Sequence, residues 1–254
     1  AYLVTRDQPS KIAAMEAIWD THPAPAPLTL FAMPNKEAQR NDMEITVPWL
    51  FGLMGTRSVS TEIPGIKTIL ADSERRIISG QKAVDLLAQL RKDPKNEALR
   101  AEFLKVKDDL GFGLLLKKYV EDVTKATPEQ IKQAAADTIP NVTPMFWAFR
   151  TMVGSGITVA LVFLLGLYFG IKNTLTEKRT YLKLALLILP LPWLANEMGW
   201  FVAEYGRQPW TIFNMLPTHL SVSSLSAAEV AGSLIGFCVL YTGLIIVEMW
   251  IMIR

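Results

Sequence analysis

Trp193, Glu197, Trp200 and Glu204 recur at intervals of four, three and four residues, and Arg207 continues the row three residues later. On an α-helix this spacing gathers two indoles, two carboxylates and a guanidinium on one face. The flanking residues are apolar enough for lipid, where an ionisable side chain costs at least a few kcal/mol and marks a functional site by default. An interfacial belt of aromatic rings would account for Trp200 and Trp210, but not for two acids on the same stripe. Arg150 follows Pro144 by about two turns, so it either serves such a site or snorkels to the headgroups. Met145, Phe149, Met152 and Gly156 repeat the four, three, four pattern and end on a residue without a side chain. That stripe could flank a flat cofactor. By spacing alone, helix packing with methionine as gap-filler and glycine permitting close approach is the simpler account.

Three apolar stretches must position these groups. Residues 145–171, 184–203 and 230–253 are each long enough, at about 1.5 Å per residue, to cover a hydrocarbon core of about 30 Å. The loop between the first two carries Lys172, Lys178 and Arg179, with Lys183 just beyond, whereas the second loop holds only Arg207. By the positive-inside rule the first loop is cytoplasmic. Residues 1–144, the start of the first span, the end of the second and residues 206–227 then lie on the outer side. Pro190 and Pro192 remove backbone donors inside the second span and predict a kink. In the third span Gly232 and Gly236 have the spacing of a packing face, and Glu248 fits either a proton route or the inner interface.

Residues 1–144 are polar and rich in proline and charge, with no window apolar enough to span. They predict an aqueous domain made mainly of helices. A helix over residues 11–19 precedes a stiff polyproline stretch at Pro23, Pro25 and Pro27. Amphipathic helices over residues 66–90 and 97–119 are separated at Asp93-Pro94. Thr127-Pro128-Glu129-Gln130 supplies an N-cap, a proline at the first helical position and the residue for a capping box. The expected fold class is thus an all-α membrane protein, with three transmembrane helices in residues 145–254 and an extracytoplasmic, mainly helical domain in residues 1–144.

The formal net charge of +2 and the absence of long Lys/Arg runs argue against nucleic-acid binding. Cys238 is the single cysteine, so the sequence holds no intrachain disulfide, no Cys-x-x-Cys pair and no covalent haem-attachment motif. His22 and His219 are the only histidines, and both read as surface imidazoles outside the spans. No basic segment followed by an apolar run precedes Tyr2, so the start reads as internal or processed.

The run Gly199-Trp200-Phe201-Val202-Ala203-Glu204-Tyr205-Gly206-Arg207-Gln208-Pro209-Trp210 closely resembles subunit I of the cytochrome bd quinol oxidases of bacterial respiratory chains. The likeness extends to Ala148-Phe149-Arg150-Thr151-Met152, to Lys11-Ile12-Ala13-Ala14-Met15-Glu16 and to Gly111-Phe112-Gly113-Leu114-Leu115-Leu116-Lys117, and so covers essentially the whole chain. It implies that residues 1–144 are the family's quinol-oxidising loop, of the long type, and that the spans are the last three of a nine-helix subunit. It implies Met152 as the thioether ligand of a low-spin haem b iron, with Arg150 neutralising propionates or the reduced haem. Glu204 is implied as a carboxylate ligand at a high-spin haem pair, a haem b with haem d or a further haem b. Trp200 is implied as an aromatic beside that pair and Arg207 as a second partner for propionates. Lys11 and Glu16 are implied in quinol oxidation. Thioether ligation tends to raise a haem potential, which suits an acceptor of quinol electrons. A carboxylate near a quinol hydroxyl can act as a general base, with Lys11 tuning it or orienting the ring.

One departure has a structural consequence. The family's histidine haem ligands lie in a preceding half of the subunit, and no histidine lies inside a span here, so Met152 is left with an open opposite face. The implied partners are that N-terminal half, oxidase subunit II, a small single-span subunit, quinol and dioxygen. The implied function is a haem-containing subunit of a terminal oxidase in the bacterial cytoplasmic (inner) membrane. It would oxidise quinol on the outer side, reduce dioxygen to water and build a proton gradient without pumping. Composition and spacing alone leave an alternative, a non-enzymatic membrane anchor or transporter subunit whose buried acids and arginine pair for structure.

Overall fold

The structure, a computed structural model, describes residues 2–58 and 60–253. The chain forms two compact units, Ala1–His219 and Leu220–Arg254. It is mostly helical and contains three helical stretches long and apolar enough to cross a bilayer. The spans expected from hydropathy are therefore present.

The first unit opens with α1 (Tyr2–Asp7) and α2 (Pro9–Glu16). Pro9 suits the first turn of α2, where a backbone donor would have no partner. The helix expected over residues 11–19 stops at Glu16, because Ala17 adopts a left-handed conformation (φ 52°) and folds its N–H back onto the last turn. Ile18 and Trp19 then turn into the core. Instead of a regular polyproline stretch, the proline segment is a bent coil with a cis Ala24–Pro25 bond. It leads into an antiparallel hairpin of β1 (Leu28–Asn35) and β2 (Arg40–Val47), a non-helical element within a domain expected to be mainly helical. A π-helical turn, Gly52–Thr56, follows.

Next come α3 (Ile66–Lys92), α4 (Glu97–Val106), α5 (Leu110–Leu115) and α6 (Pro128–Asp137). The single helix expected over residues 97–119 is broken by a 3-10 turn at Lys107–Asp109. The cause is tertiary: α5 crosses α3 so closely that a Cβ on Gly113 would lie 2.3 Å from the Gly80 carbonyl oxygen. Arg76 holds the break in place through its 2.7 Å pair with Asp109 and a bond to the Asp108 carbonyl. The capping box at α6 forms as read: Thr127 Oγ1 accepts from the Gln130 N–H at 3.3 Å and Gln130 Oε1 accepts from the Thr127 N–H at 2.9 Å.

The first span is α7 (Val142–Ile171), which begins three residues before the expected Met145. The second is two helices, α8 (Arg179–Leu187) and α9 (Leu191–Tyr205), interrupted at residues 188–190 where Pro190 and Pro192 predict a kink. A short hairpin of β3 (Trp210–Ile212) and β4 (Leu216–Pro217) follows. Two cores hold the unit together. One joins α2, β1, the first turns of α7 and Val202 of α9. The other joins α3, α5, α6 and Trp210. The second unit consists chiefly of α10 (Ala227–Ile253), on which Glu248 is exposed and a Cβ on Gly232 or Gly236 would meet no atom within 4 Å.

Candidate functional site

Helix α2 is fastened at each end to a different span. At its start, Lys11 Nζ donates to the carbonyl of Ala203, at 3.1 Å, one residue before Glu204. Gly206 provides the room for this, since a Cβ there would lie 3.0 Å from Lys11 Cε and 2.6 Å from Met145 Cε. At its end, Glu16 Oε2 accepts from Arg150 Nη2 at 2.6 Å. Arg150 Nη1 donates to the Met15 carbonyl at 2.6 Å, and Nη2 also reaches the Thr29 carbonyl of β1. Met15 O belongs to the last turn of α2, where carbonyls lack intrahelical donors and the helix end is partly negative, so a cation is well placed there. The guanidinium carbon lies 3.9 Å from the centroid of the Phe146 ring, one turn back on α7.

Glu16 is only 2 % exposed, and its second oxygen, Oε1, has no hydrogen-bond partner. Burial pushes its carboxyl up from the ordinary range, and the charge and hydrogen bond of Arg150 oppose that shift. Lys11 is pushed down, mainly by burial and then by Arg207, with Glu204 opposing. The fold thus brings Lys11 toward Glu204 and Arg207, and Glu16 onto Arg150. The partner of Arg150 is therefore a carboxylate on a segment 134 residues away in sequence.

Below Arg150, α7 and α9 border an open groove of about 720 Å³ lined by Met152, Ala195, Asn196, Glu197, Gly199, Trp200 and Ala203. Ala195, Gly199 and Ala203 are four residues apart, so their small side chains form one flat stripe, a signal present in the sequence but not picked out there. A Cβ on Gly199 would lie 3.1 Å from Met152 Sδ, so the missing side chain makes space for the thioether. Of the Met145 stripe, Met145 itself is buried in the core, Met152 borders the groove, and a Cβ on Gly156 would meet nothing within 4 Å. Trp193, Glu197, Trp200 and Glu204 all point away from the body of the unit, with Trp200 64 % exposed. Arg207 lies just past the end of α9 and pairs with Glu204 at 3.3 Å, both side chains remaining nearly half exposed. Among the described residues no group of three or more His, Cys, Asp or Glu converges as a bare metal site.

A second polar cluster has no signal in the sequence, because it joins three separate segments. Asp137 at the end of α6 accepts from Lys118 Nζ at 2.7 Å and from the Tyr119 hydroxyl at 2.6 Å. His219 lies within electrostatic reach of Lys118 and Asp137 and is half-buried, with Nε2 unpartnered, so the expectation of a surface imidazole is corrected. Burial and then Lys118 push its pKa down, while Asp137 opposes them.

All 254 residues match the family described as "Cytochrome bd terminal oxidase subunit I". The chain is 39 % identical over 252 residues to cytochrome bd-II ubiquinol oxidase subunit 1 of Escherichia coli (strain K12), covering 99 % of this chain and 49 % of that protein. It is 28 % identical over 235 residues to cytochrome bd ubiquinol oxidase subunit 1 of Bacillus subtilis (strain 168), covering 92 % of this chain and 38 % of that protein. The chain therefore spans about half, or less, of the length of these curated relatives. The resemblance carried by Gly199–Trp210, Ala148–Met152 and Lys11–Glu16 thus extends from one end of the sequence to the other, and the chain belongs to the cytochrome bd terminal oxidase subunit I family.

Proposed function

We propose that this chain forms the quinol-oxidising side and one wall of the haem sites of a terminal respiratory oxidase that reduces dioxygen to water. The observation that carries this reading is Glu16: a buried carboxylate with one bare oxygen, fastened by Arg150 to the same helix that bears Met152. Such a group is suited to take a proton from a quinol hydroxyl close to an electron acceptor. Lys11, fixed at the other end of α2, orients the ring or tunes the site. Both relatives are named ubiquinol oxidases, which supports ubiquinol as the donor.

The residues fit one face of a haem. A soft thioether borders a groove floored by small side chains, with Trp200 in its lining. Met152 would hold the iron of a low-spin haem b. Glu204 would hold that of a high-spin haem b, with Trp200 beside it, Arg207 toward propionates, and haem d or a further haem b completing the oxygen site. When bound, these groups supply one-electron acceptance and dioxygen reduction. The protein's own contributions are the ligand atoms, the groove and the proton acceptor. Histidines on the open side would come from a preceding half of the same subunit, and subunit II with a small single-span subunit would complete the complex.

In this reading residues 1–144 form a domain on the outer side of a bacterial inner membrane and residues 145–254 form the transmembrane part. The basic loop Lys172–Lys178 lies at the opposite end of α7 from Arg150, in keeping with that orientation. Protons from quinol then leave outward, protons for water are drawn from the cytoplasm, and charge is separated without a pump.

The test uses the complete complex. Glu16→Ala is expected to abolish quinol-dependent oxygen uptake while a pyridine haemochrome assay finds the haems retained. Unchanged uptake, or loss of haem from this variant, would reject the role of Glu16. A colourless wild-type complex, with cofactor loss excluded, would favour a structural anchor instead.

A further inference from the structure

Three hydrogen bonds from two nitrogens of Arg150 all act on the surroundings of one carboxylate. Nη1 holds the Met15 carbonyl, Nη2 holds Glu16 Oε2, and Nη2 also reaches the Thr29 carbonyl of β1. The guanidinium plane rests over Phe146. Helix end, strand and span are thereby locked to one another around Glu16. A purely structural ion pair buried to this degree is expected to satisfy both carboxylate oxygens, because a bare buried acceptor is costly. Here Oε2 is engaged and Oε1 has no partner.

We propose that Arg150 is a positioning residue for quinol oxidation: it fixes the Glu16 carboxylate by one oxygen and the adjoining backbone, so that Oε1 alone stays free to receive the substrate's hydroxyl proton. This rests on the reading of Glu16 as the proton acceptor. In the step itself the hydroxyl O–H bond breaks, an Oε1–H bond forms, and one electron leaves the quinol for the oxidase's acceptor. The proton passes to the outer water before the second hydroxyl reacts. Two such steps release two protons and two electrons per quinol, and two quinols supply the four electrons that reduce one dioxygen to two waters. Arg150 keeps its charge and its bond to Oε2 throughout.

A lysine at position 150 retains the charge but not the planar fork, so it cannot hold a carboxylate and two carbonyls together. Arg150→Lys, Glu16→Gln and the double variant are compared in the complete complex, with haem content as the measure of assembly. Arg150→Lys is expected to lower kcat for quinol at least tenfold with KM within about threefold. The double variant is expected to be no slower than Glu16→Gln alone, because Arg150 then has no base to position. In infrared difference spectra, a carboxyl band that disappears in Glu16→Gln is expected to shift in Arg150→Lys. Losses that multiply in the double variant, or a carboxyl band unmoved by Arg150→Lys, would overturn the proposal. If Arg150→Lys fails to assemble, Phe146→Leu, which removes the ring beneath the guanidinium, takes its place with the same expectations. Full quinol turnover by Glu16→Gln would instead overturn the underlying assignment of Glu16, a result distinct from failure of the Arg150 role.

Discussion

Two arginine–glutamate pairs lie at the same end of α7 and α9, and they differ in length, enclosure and sequence separation. Arg150 and Glu16 meet at 2.6 Å with side chains 14 % and 2 % exposed, whereas Arg207 and Glu204 meet at 3.3 Å with 44 % and 47 % exposed. The first pair is surrounded by this chain: Phe146 beneath, the Met15 and Thr29 carbonyls around it. The second is three residues apart on one segment and faces outward together with Trp200 and Glu197. A pair enclosed by its own chain sets geometry, while one left open on an apolar span calls for something to cover it. On the proposed reading, the inward pair would organise the substrate side and the outward pair would face cofactor and partner helices.

The sharpest way to break this contrast is to remove an outward-reaching donor. Met152→Leu is expected to abolish the low-spin haem b band of the complete complex in a reduced-minus-oxidised spectrum, and an unchanged band would remove Met152 as a ligand. Next in size, Arg150→Ala leaves a buried carboxylate without its partner and is expected to cost about 3–5 kcal/mol in unfolding of the complex. Arg207→Ala, by contrast, is expected to cost at most about 1 kcal/mol, because its pair is half solvated. Equal costs for the two would collapse the distinction between enclosed and open pairs.

A smaller perturbation sharpens the groove. Gly199→Ala puts a methyl group 3.1 Å from Met152 Sδ, which forces the thioether to shift by a few tenths of an ångström. A displaced low-spin haem band with haem content retained is the expected signature, and an unaltered spectrum would mean that the thioether is not held by that wall. The smallest effect concerns the cluster of Asp137, Lys118 and His219. The His219 pKa is depressed in the folded state, so between its folded and unfolded values the unfolded chain binds more protons. Stability is then full above the ordinary imidazole range and declines as pH falls through the window beneath it. His219→Asn is expected to flatten this decline in denaturation curves recorded at successive pH values, and an unchanged slope would assign it to other groups.

What the sequence disclosed followed from rules that act locally. Span length, the Thr127–Gln130 capping box and the break at Pro190 depend on a few neighbouring residues, and all three are present in the fold. The helix expected over residues 97–119 failed because its direction is set by contact of Gly113 with Gly80 on another helix. Residues 28–47 formed a hairpin although their burial does not alternate cleanly, and Leu30, Met33, Met43 and Ile45 are at least half exposed. Lys11, Glu16, Arg150 and Met152 stand out by motif as candidates, but their pairing is not legible in the sequence. Which carboxylate meets Arg150 depends on how α2 docks, and no interval in the sequence encodes a contact across 134 residues.

Helix α7 runs unbroken from Val142 to Ile171, so Phe146, Arg150 and Met152 ride on one rigid screw. Adding or deleting one residue between them would rotate everything beyond that point by about 100° and advance it about 1.5 Å. The ring beneath the guanidinium and the sulfur beside Gly199 could then no longer face their partners at once. The second span carries a natural joint at residues 188–190, where a change in length can be absorbed before α9 begins. Insertions and deletions should thus be tolerated at that joint and refused between Phe146 and Met152, making the spacing of those residues as much a part of the site as their identity.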